Sequence, residues 1–454
     1  MCLRAVRWQS LSRKKRRAKE VGVKRSRSRP LGVPDAGPIE SDVHGEGPGF
    51  ARVLARKLFG ALIDRAGRPP IEFALAGGHV LYAPQGRALG RVVFRDLGAV
   101  WAVVRQPELG FGDAFAAGRV QIDGDLVDTL FHLFRASDAA GQRASKRSLL
   151  GAQPSARRNS LRNSRDHIRH HYDLGNDFYA RWLDERMVYT CAYYAHPSMS
   201  LEQAQVAKLE HVSRKLELAP GMEVVEAGCG WGALAMHMAR VHGVKVRAFN
   251  ISSEQIAYAR ERAAREGLGD RVQFIQDDYR NVTGRYDAFV SVGMLEHVGV
   301  DNYPALGSVI SRCLHRHGRA LLHSVGRTRP QAPNAWLERR IFPGSHPPSL
   351  REIMDILEPW RFTVIDVENL RLHYAKTLLE WLHRFEGSAQ EVRREHGEEF
   401  VRAWRLYLGG CAAAFRASTI QLYQIVFTHP DNNDVAMTRE HQYTGAASTR
   451  WTGF

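Results

Sequence analysis

Three glycines at alternate positions, Gly228, Gly230 and Gly232, follow the short apolar run Met222 to Val225. At a strand-to-helix junction, residues without side chains let the backbone bend tightly and let a ligand come close. Such a turn can cradle a dinucleotide, but this one lacks GxGxxG spacing, and Asn250 rather than an acid ends the second strand. Asp277 and Asp278 follow the third strand directly, where an acid can meet the edge of an adenine or a ribose. The plainer alternative is that the glycines serve only the turn and the acids cap the next segment. His167, His170 and His171 have HxxHH spacing but no acidic partner set, so no metal site is expected.

These groups need a scaffold, and the pattern around them supplies one. Strands are expected at Met222 to Val225, Val244 to Phe249, Val272 to Ile275, Tyr286 to Val292 and Arg319 to Val325, with helices at Ala233 to Arg240 and Glu254 to Glu266. Phe362 to Val367 and Gln421 to Phe427 can close the sheet, and Tyr374 to Leu408 reads as one long helical region. Alternation of this kind predicts an α/β fold, a doubly wound parallel sheet that binds ligands at the carboxyl ends of its strands. Upstream, short apolar runs such as Ile71 to Leu75 and Arg91 to Phe94 alternate with Gly and Pro, and helical stretches follow near 109–117 and 126–134. Residues 46–137 therefore read as a small α+β N-terminal domain, and the small, polar, basic stretch 138–166 as a linker. The catalytic domain is placed at 167–430 and a C-terminal tail at 431–454.

Charge is uneven along the chain. Residues 1–30 carry twelve Lys and Arg against the single acid Glu20, so they supply +11 of the net +16. Residues 1–45 read as a disordered basic arm with too few apolar residues to pack. It is read as a solvated tail, the alternative being a tether to anionic head groups or nucleic acid. No signal-peptide pattern and no run long enough to span a membrane is found. Cys2, Cys191, Cys229, Cys313 and Cys411 are odd in number and lack CxxC spacing, which fits a reducing cytoplasm without disulfides or structural zinc.

Several segments together carry a family resemblance. Gly228-Cys229-Gly230-Trp231-Gly232 resembles motif I of class I methyltransferases, and its tryptophan variant resembles the cyclopropane-fatty-acyl-phospholipid synthase and mycolic acid cyclopropane synthase family. Arg169 to Tyr179 and Tyr189 to Tyr194 are similar to that family's segments over the cofactor, and Asn250 to Gln255 to its loop after the second strand. Gly293 to Gly299, Leu321 to Gly326, Cys411 to Arg416 and Ile420 to Gln424 agree in order and spacing. The resemblance covers about residues 50–430. It implies a Rossmann-like fold and S-adenosyl-L-methionine as co-substrate, held by Tyr189, Thr190, Gly228, Cys229, Gly230, Asn250, Ser252, Gln255, Asp278 and Tyr279.

It also implies a reaction. A cis alkene attacks the sulfonium methyl, a carbocation forms on the lipid chain, and loss of a methyl proton closes a cyclopropane ring. Such a site needs a dry channel, aromatic faces and a base. By resemblance the base is bicarbonate, cradled by Glu296, His323 and Tyr374, with Cys191 and the Val325 backbone beside them. Tyr and His can donate to the anion while Glu accepts its hydroxyl proton. Val325 departs from the isoleucine of related enzymes, which matters little where the group concerned is a backbone amide. Cys191 and Cys411 belong to this set as packing or positioning residues, since the chemistry needs no enzyme thiol.

The expected partner is the unsaturated acyl chain of a phospholipid at the membrane surface. The enzyme is then cytoplasmic and peripheral to the inner face, no nucleic acid is expected, and a homodimer is compatible with the sequence. The insertion near 327–348, with Trp336, Leu337, Ile341 and Phe342 among Arg327, Arg329, Arg339 and Arg340, suits a lipid-facing surface or a lid packed on its own domain. Two alternatives stand beside ring formation. One is a methyl- or methylene-branched lipid, or methylation of nitrogen or oxygen; the other is a non-enzymatic lipid-binding protein that keeps the fold.

Overall fold

The computed structural model describes residues 48–145 and 174–444. The basic arm, residues 146–166 of the linker, His167, His170, His171 and residues 445–454 lie outside the described residues.

The N-terminal unit is built on strands β1 (Glu72–Leu75), β2 (Val80–Tyr82), β3 (Arg91–Phe94) and β4 (Val120–Asp123), in the order β2-β1-β3-β4. Helices α1 (Pro48–Arg65), α2 (Leu97–Arg105), α3 (Pro107–Ala116) and α4 (Leu126–Ser145) accompany it. Asp96 caps α2 by accepting from the Ala99 amide at 3.0 Å, and a proline in the first turn starts α3 at once. One expectation is corrected here: residues 138–145 are not linker but the last turns of α4. Helix-favouring alanines continue there, and α4 seats so closely on the turn at Gly67 that a Cβ on that glycine would strike the Ala136 carbonyl.

After α5 (Asn176–Ala180) and α6 (Leu201–Lys215), strand and helix alternate. The elements are β5 (Glu223–Ala227), α7 (Ala233–His242), β6 (Lys245–Asn250), α8 (Ser253–Arg265), β7 (Val272–Gln276), β8 (Tyr286–Val292), α9 (Tyr303–Cys313) and β9 (Leu314–Gly326). Then come α10 (Ala335–Arg340), α11 (Leu350–Leu357), β10 (Thr363–Asn369), α12 (Arg371–His396), α13 (Glu398–Arg416), β11 (Gln421–Thr428) and α14 (Glu440–Thr444). The seven strands lie in the order β10-β11-β9-β8-β5-β6-β7. From β5 the chain winds one way through β6 and β7 and then the other way through β8 and β9, all parallel. The strand order therefore reverses between β5 and β8, which opens a crevice at their carboxyl ends.

Two features depart from the sequence expectation. The helical region from 374 to 408 is a hairpin, because Gly397 with φ 89° breaks it into α12 and α13. Two antiparallel helices return the chain to the sheet end it left. Strand β11 accordingly runs antiparallel to both β9 and β10, and the sheet is mostly rather than wholly parallel.

Apolar clusters cover the two faces of the large sheet. A third runs from α1 and the small sheet into α12 and α13, with Trp182, Trp381 and Trp404 fully buried within it. Arg402 on α13 donates to the Phe115 and Val120 carbonyls at 2.6 and 2.8 Å, tying the helical hairpin to the N-terminal unit. The 327–348 insertion packs the same way. Trp336 and Ile341 are buried, Arg340 pairs with Asp113 at 2.8 Å, and a Cβ on Gly112 would collide with the Trp336 ring. Trp336 thus faces α3 of the protein itself.

Candidate functional site

The cleft at the β5–β8 switch point is shaped by the glycine turn. Gly228, Gly230 and Gly232 all take positive φ, and a Cβ on Gly230 would meet no protein atom within 4 Å, so the space beside it is left to a ligand. A Cβ on Gly228 would instead crowd Met294, and one on Gly232 would strike Phe274. Asn250 braces the turn, its amide donating to the Gly230 carbonyl at 3.3 Å and to Gln255 Oε1 at 2.8 Å.

Across the cleft lies the segment 187–190, held by a buried carboxylate and a helix. Asp184 accepts from the Val188 and Arg186 amides, which fixes Met187 in the left-handed region at φ 57°. Helix α6 starts with a Ser200–Gln203 capping box and turns Leu201, Ala204, Gln205, Lys208, Leu209 and Val212 inward. Gln205 donates to the carbonyls of Val188 and Thr190, and Lys208 Nζ donates to Thr190 Oγ1 at 3.0 Å.

Of the residues expected to bind the cofactor, Tyr189, Thr190, Gly228, Cys229, Gly230, Asn250, Gln255, Asp278 and Tyr279 line this cleft. Ser252 does not; its hydroxyl caps α8 by accepting from the Gln255 amide. Asp278 is held by the Arg280 guanidinium at 2.7 and 2.9 Å, so its side chain serves the following turn, while Asp277 lines the cleft beside it.

Among the lining residues that went unrecognised in the sequence are Lys208 and Glu226. Burial pulls the Lys208 ammonium down to about 8 and lifts the Glu226 carboxyl to about 7. Glu226 Oε2 has no partner among the described residues. A signal for both was present: each is a charged residue at an apolar position, Lys208 on the inward stripe of α6 and Glu226 inside the run Val224 to Ala227.

The second group of expected residues lies beyond the cleft wall, at the end of β9. The Val325 amide donates to Glu296 Oε1 at 2.5 Å, leaving Oε2 buried without a partner. Burial lifts that carboxyl to about 7. His323, two residues earlier on β9, accepts at Nδ1 from the Gln424 amide at 3.1 Å, which puts its proton on Nε2. That Nε2 also has no partner among the described residues, and burial drops the imidazole to about 3, so the ring is neutral. Unpartnered buried polar atoms cost roughly 1–3 kcal/mol each, so each of these two would gain from an anion or water as its missing partner.

Tyr374, Cys191 and Cys411 reach the same region through the fold. Val325 pairs with Leu422 across the sheet, the Leu422 carbonyl accepts from the Leu370 amide, and the Leu370 carbonyl accepts from the Tyr374 amide and the Cys191 thiol. Cys191, Val325, Tyr374 and Cys411 share one apolar cluster. Burial raises the Cys191 thiol strongly and pushes Cys411 up to about 12, so neither is a thiolate. Around them stand Tyr189, Trp182 and Trp381 with ring centroids 5.2 to 5.7 Å apart, and Tyr189 and Tyr407 share a hydroxyl hydrogen bond of 2.7 Å. Electron-rich faces in a dry interior tolerate positive charge.

The mycolic acid cyclopropane synthetase family model matches residues 159–425. A probable fatty acid methyltransferase of Pseudomonas putida is 35% identical over 372 residues, covering 77% of this chain and 93% of that protein. The cyclopropane-fatty-acyl-phospholipid synthase of Escherichia coli strain K12 is 42% identical over 270 residues, 59% of this chain and 69% of that one. Among solved structures, the cyclopropane synthase MmaA2 from Mycobacterium tuberculosis covers 59% of this chain and 99% of its own, at 28% identity and a TM-score of 0.56. The mycolic acid cyclopropane synthase CmaA1, complexed with SAH and CTAB, is 30% identical with a TM-score of 0.55, covering 58% of this chain and 97% of its own.

Proposed function

The chain belongs to the mycolic acid cyclopropane synthetase family of S-adenosylmethionine-dependent methyltransferases, and on that premise we propose that it converts the cis double bond of an unsaturated phospholipid acyl chain into a cyclopropane ring. The observation that carries this reading is the pair of buried, unpartnered atoms Glu296 Oε2 and His323 Nε2 beside a glycine-lined cleft. A generic transfer to nitrogen or oxygen has no need of them.

The residues fit the two small molecules required. Open space at Gly230 and the free Glu226 Oε2 suit the methionine portion of S-adenosylmethionine, whose ammonium that carboxylate can receive. When bound, the co-substrate supplies the electrophilic methyl that becomes the added carbon. Bicarbonate, held by Glu296, His323 and Tyr374, would supply a base. Toward such an anion His323 donates from Nε2, and Glu296 accepts a proton at Oε2 provided that it is ionised. Trp182, Tyr189 and Trp381 exclude water from the cation formed on the acyl chain.

A surface feature supports action at a bilayer. Helix α1 buries Ala55, Phe59 and Ile63 and leaves Phe50, Val53, Leu54 and Leu58 exposed at 54, 67, 37 and 39%, beside exposed Arg52, Arg56 and Lys57. An apolar stripe with basic flanks suits the inner face of an anionic membrane. Replacing Val53 and Leu54 by Asp should weaken binding to anionic vesicles in co-sedimentation while leaving turnover on detergent-dispersed lipid unchanged; unaltered vesicle binding would count against α1.

A second reading has its own support. The probable fatty acid methyltransferase matches more of the chain than the phospholipid synthase does, and it favours a methyl- or methylene-branched product. One experiment addresses both. The protein is incubated with S-adenosylmethionine and monounsaturated phospholipid vesicles, and the lipid is analysed by mass spectrometry and proton NMR. A gain of one CH2 with cyclopropane signals is expected. A branched product selects the second reading, and no mass gain despite co-substrate binding overturns both.

A further inference from the structure

Behind α6, away from the cleft, three metal-ligating side chains meet that play no part in methyl transfer. We propose that Glu210, His237 and His242 form a binding site for a divalent transition-metal ion, with zinc the best fit, which links α6 to the carboxyl end of α7. The inference does not rest on the methyltransferase reading. No spacing motif marks it, because Glu210 lies on a different helix, 27 and 32 residues from the two histidines.

The geometry is specific. His237 Nε2 and His242 Nε2 each lie 3.1 Å from the same oxygen, Glu210 Oε2. The three ligand atoms fall within 4.8 Å of one another. Zinc bonds of roughly 2.0–2.2 Å in tetrahedral geometry place ligands about 3.3–3.6 Å apart, so both nitrogen–oxygen edges need to open by only a few tenths of an ångström. Two imidazoles and one carboxylate suit zinc or its first-row neighbours, whereas calcium and magnesium prefer all-oxygen shells. With side-chain exposures of only 11, 15 and 23%, the three groups are partly shielded yet leave a position for water.

The surroundings orient the ligands. Arg214 Nε holds the other carboxylate oxygen, Oε1, at 2.8 Å, so Oε2 is turned to the rings. Gly243, in the left-handed region at φ 68°, ends α7 directly after His242. Helix α6 also carries Lys208, which holds Thr190 over the cleft, so an ion here would stiffen the cleft's outer wall.

The test uses untagged full-length protein stripped with EDTA. After equilibrium dialysis against Zn2+, metal content is measured by mass spectrometry for the wild type and for His237→Gln, His242→Gln and Glu210→Gln. The chain has twenty histidines, so the readout is the difference between proteins. One equivalent is expected to be lost in each histidine variant and affinity to fall at least ~10-fold in Glu210→Gln. Co2+ should give visible d–d bands in the wild type that each histidine variant lacks. Co-substrate binding reports that the variants remain folded, and a variant failing that control is replaced by the corresponding Asn substitution. Equal zinc stoichiometry and identical Co2+ spectra in the wild type and the histidine variants would overturn the site.

Discussion

Helix α6 carries two lysines two turns apart, Lys208 and Lys215, both buried to within 2% of full enclosure, and they lead opposite lives. Lys215 Nζ sits 2.6 Å from Glu368 and 3.1 Å from Asp366, with His211 2.7 Å from the same Glu368 oxygen. That network clasps α6 to β10. Lys208 makes its hydrogen bond to the neutral Thr190 hydroxyl at 3.0 Å, feels the Asp184 and Glu226 carboxyls only through space, and faces the cleft. The acids divide likewise. Burial would lift Glu368, but His211 and Lys215 hold it down at about 2, whereas Glu226 and Glu296, each with a free oxygen, rise to about 7. A buried charge with its partners in place fixes architecture. One without them is kept at a cost in stability, and here such groups gather where a ligand is expected.

The largest effects should come from the side with missing partners. Gly230→Val places a branched side chain in space that no protein atom occupies, at a φ of 52°. Binding of the co-substrate, measured by calorimetry, should be abolished; undiminished binding by the folded variant would remove the cleft from contention. Next is Glu296→Gln, which keeps size but removes the carboxylate. Turnover should drop ~10²-fold or more at nearly constant co-substrate affinity. Since the group must be ionised to accept a proton, wild-type turnover should fall as pH is lowered through about 7, and the variant should lose that dependence. Stripping bicarbonate should also slow the wild type, with recovery on adding it back. Wild-type rates in both the variant and the depleted buffer would mean that another group takes the proton.

The paired side should answer in stability instead. Glu368→Gln leaves Lys215 facing Asp366 alone. The cost should be roughly 2 kcal/mol, less than for a fully buried pair because Glu368 keeps 23% exposure. A carboxyl held at about 2 against an ordinary 4.5 contributes stability that is complete above 4.5 and lost as pH falls toward 2. Urea titrations of the wild type should show that acid loss and those of the variant should not. A variant with weakened co-substrate binding and unchanged stability would break the division drawn here.

The parallel strands and the glycine turn were legible because their information is local: apolar period, strand length and residues without side chains. The resemblance located Glu296 and His323 at strand ends, and the structure adds what a linear sequence cannot carry, namely that Val325 and Gln424 each occupy one atom of the pair and leave the other free. The hairpin at Gly397 was missed because one glycine in a helical pattern is tolerated as often as it breaks the helix. Trp336 suited a lipid-facing surface in the sequence because its cover, α3, lies more than 200 residues upstream. The Lys215 network joins residues over 150 apart and has no sequence signature at all.

The smallest expected effect is the most discriminating test of the two lysines. Lys208→Met replaces the cation with an apolar chain of similar length. Were Lys208 another architectural ion pair, its loss would destabilise the protein much as Glu368→Gln does. Instead, burial has pulled its pKa from 10.5 to about 8, so the charged form is disfavoured by folding, and that penalty is fully present below about 8. Removing the group removes the penalty along with one hydrogen bond to Thr190 and the weaker attraction to Asp184 and Glu226, which burial outweighs, so the melting temperature at pH 7 should stay level or rise. Co-substrate affinity should fall ~10-fold, since Thr190 loses its anchor and the cleft its only nearby buried cation among the described residues. In the wild type the same affinity should weaken as pH rises through about 8, where Lys208 gives up its proton, and the variant should be flat across that range. Lowered stability with unchanged affinity would make Lys208 a second Lys215.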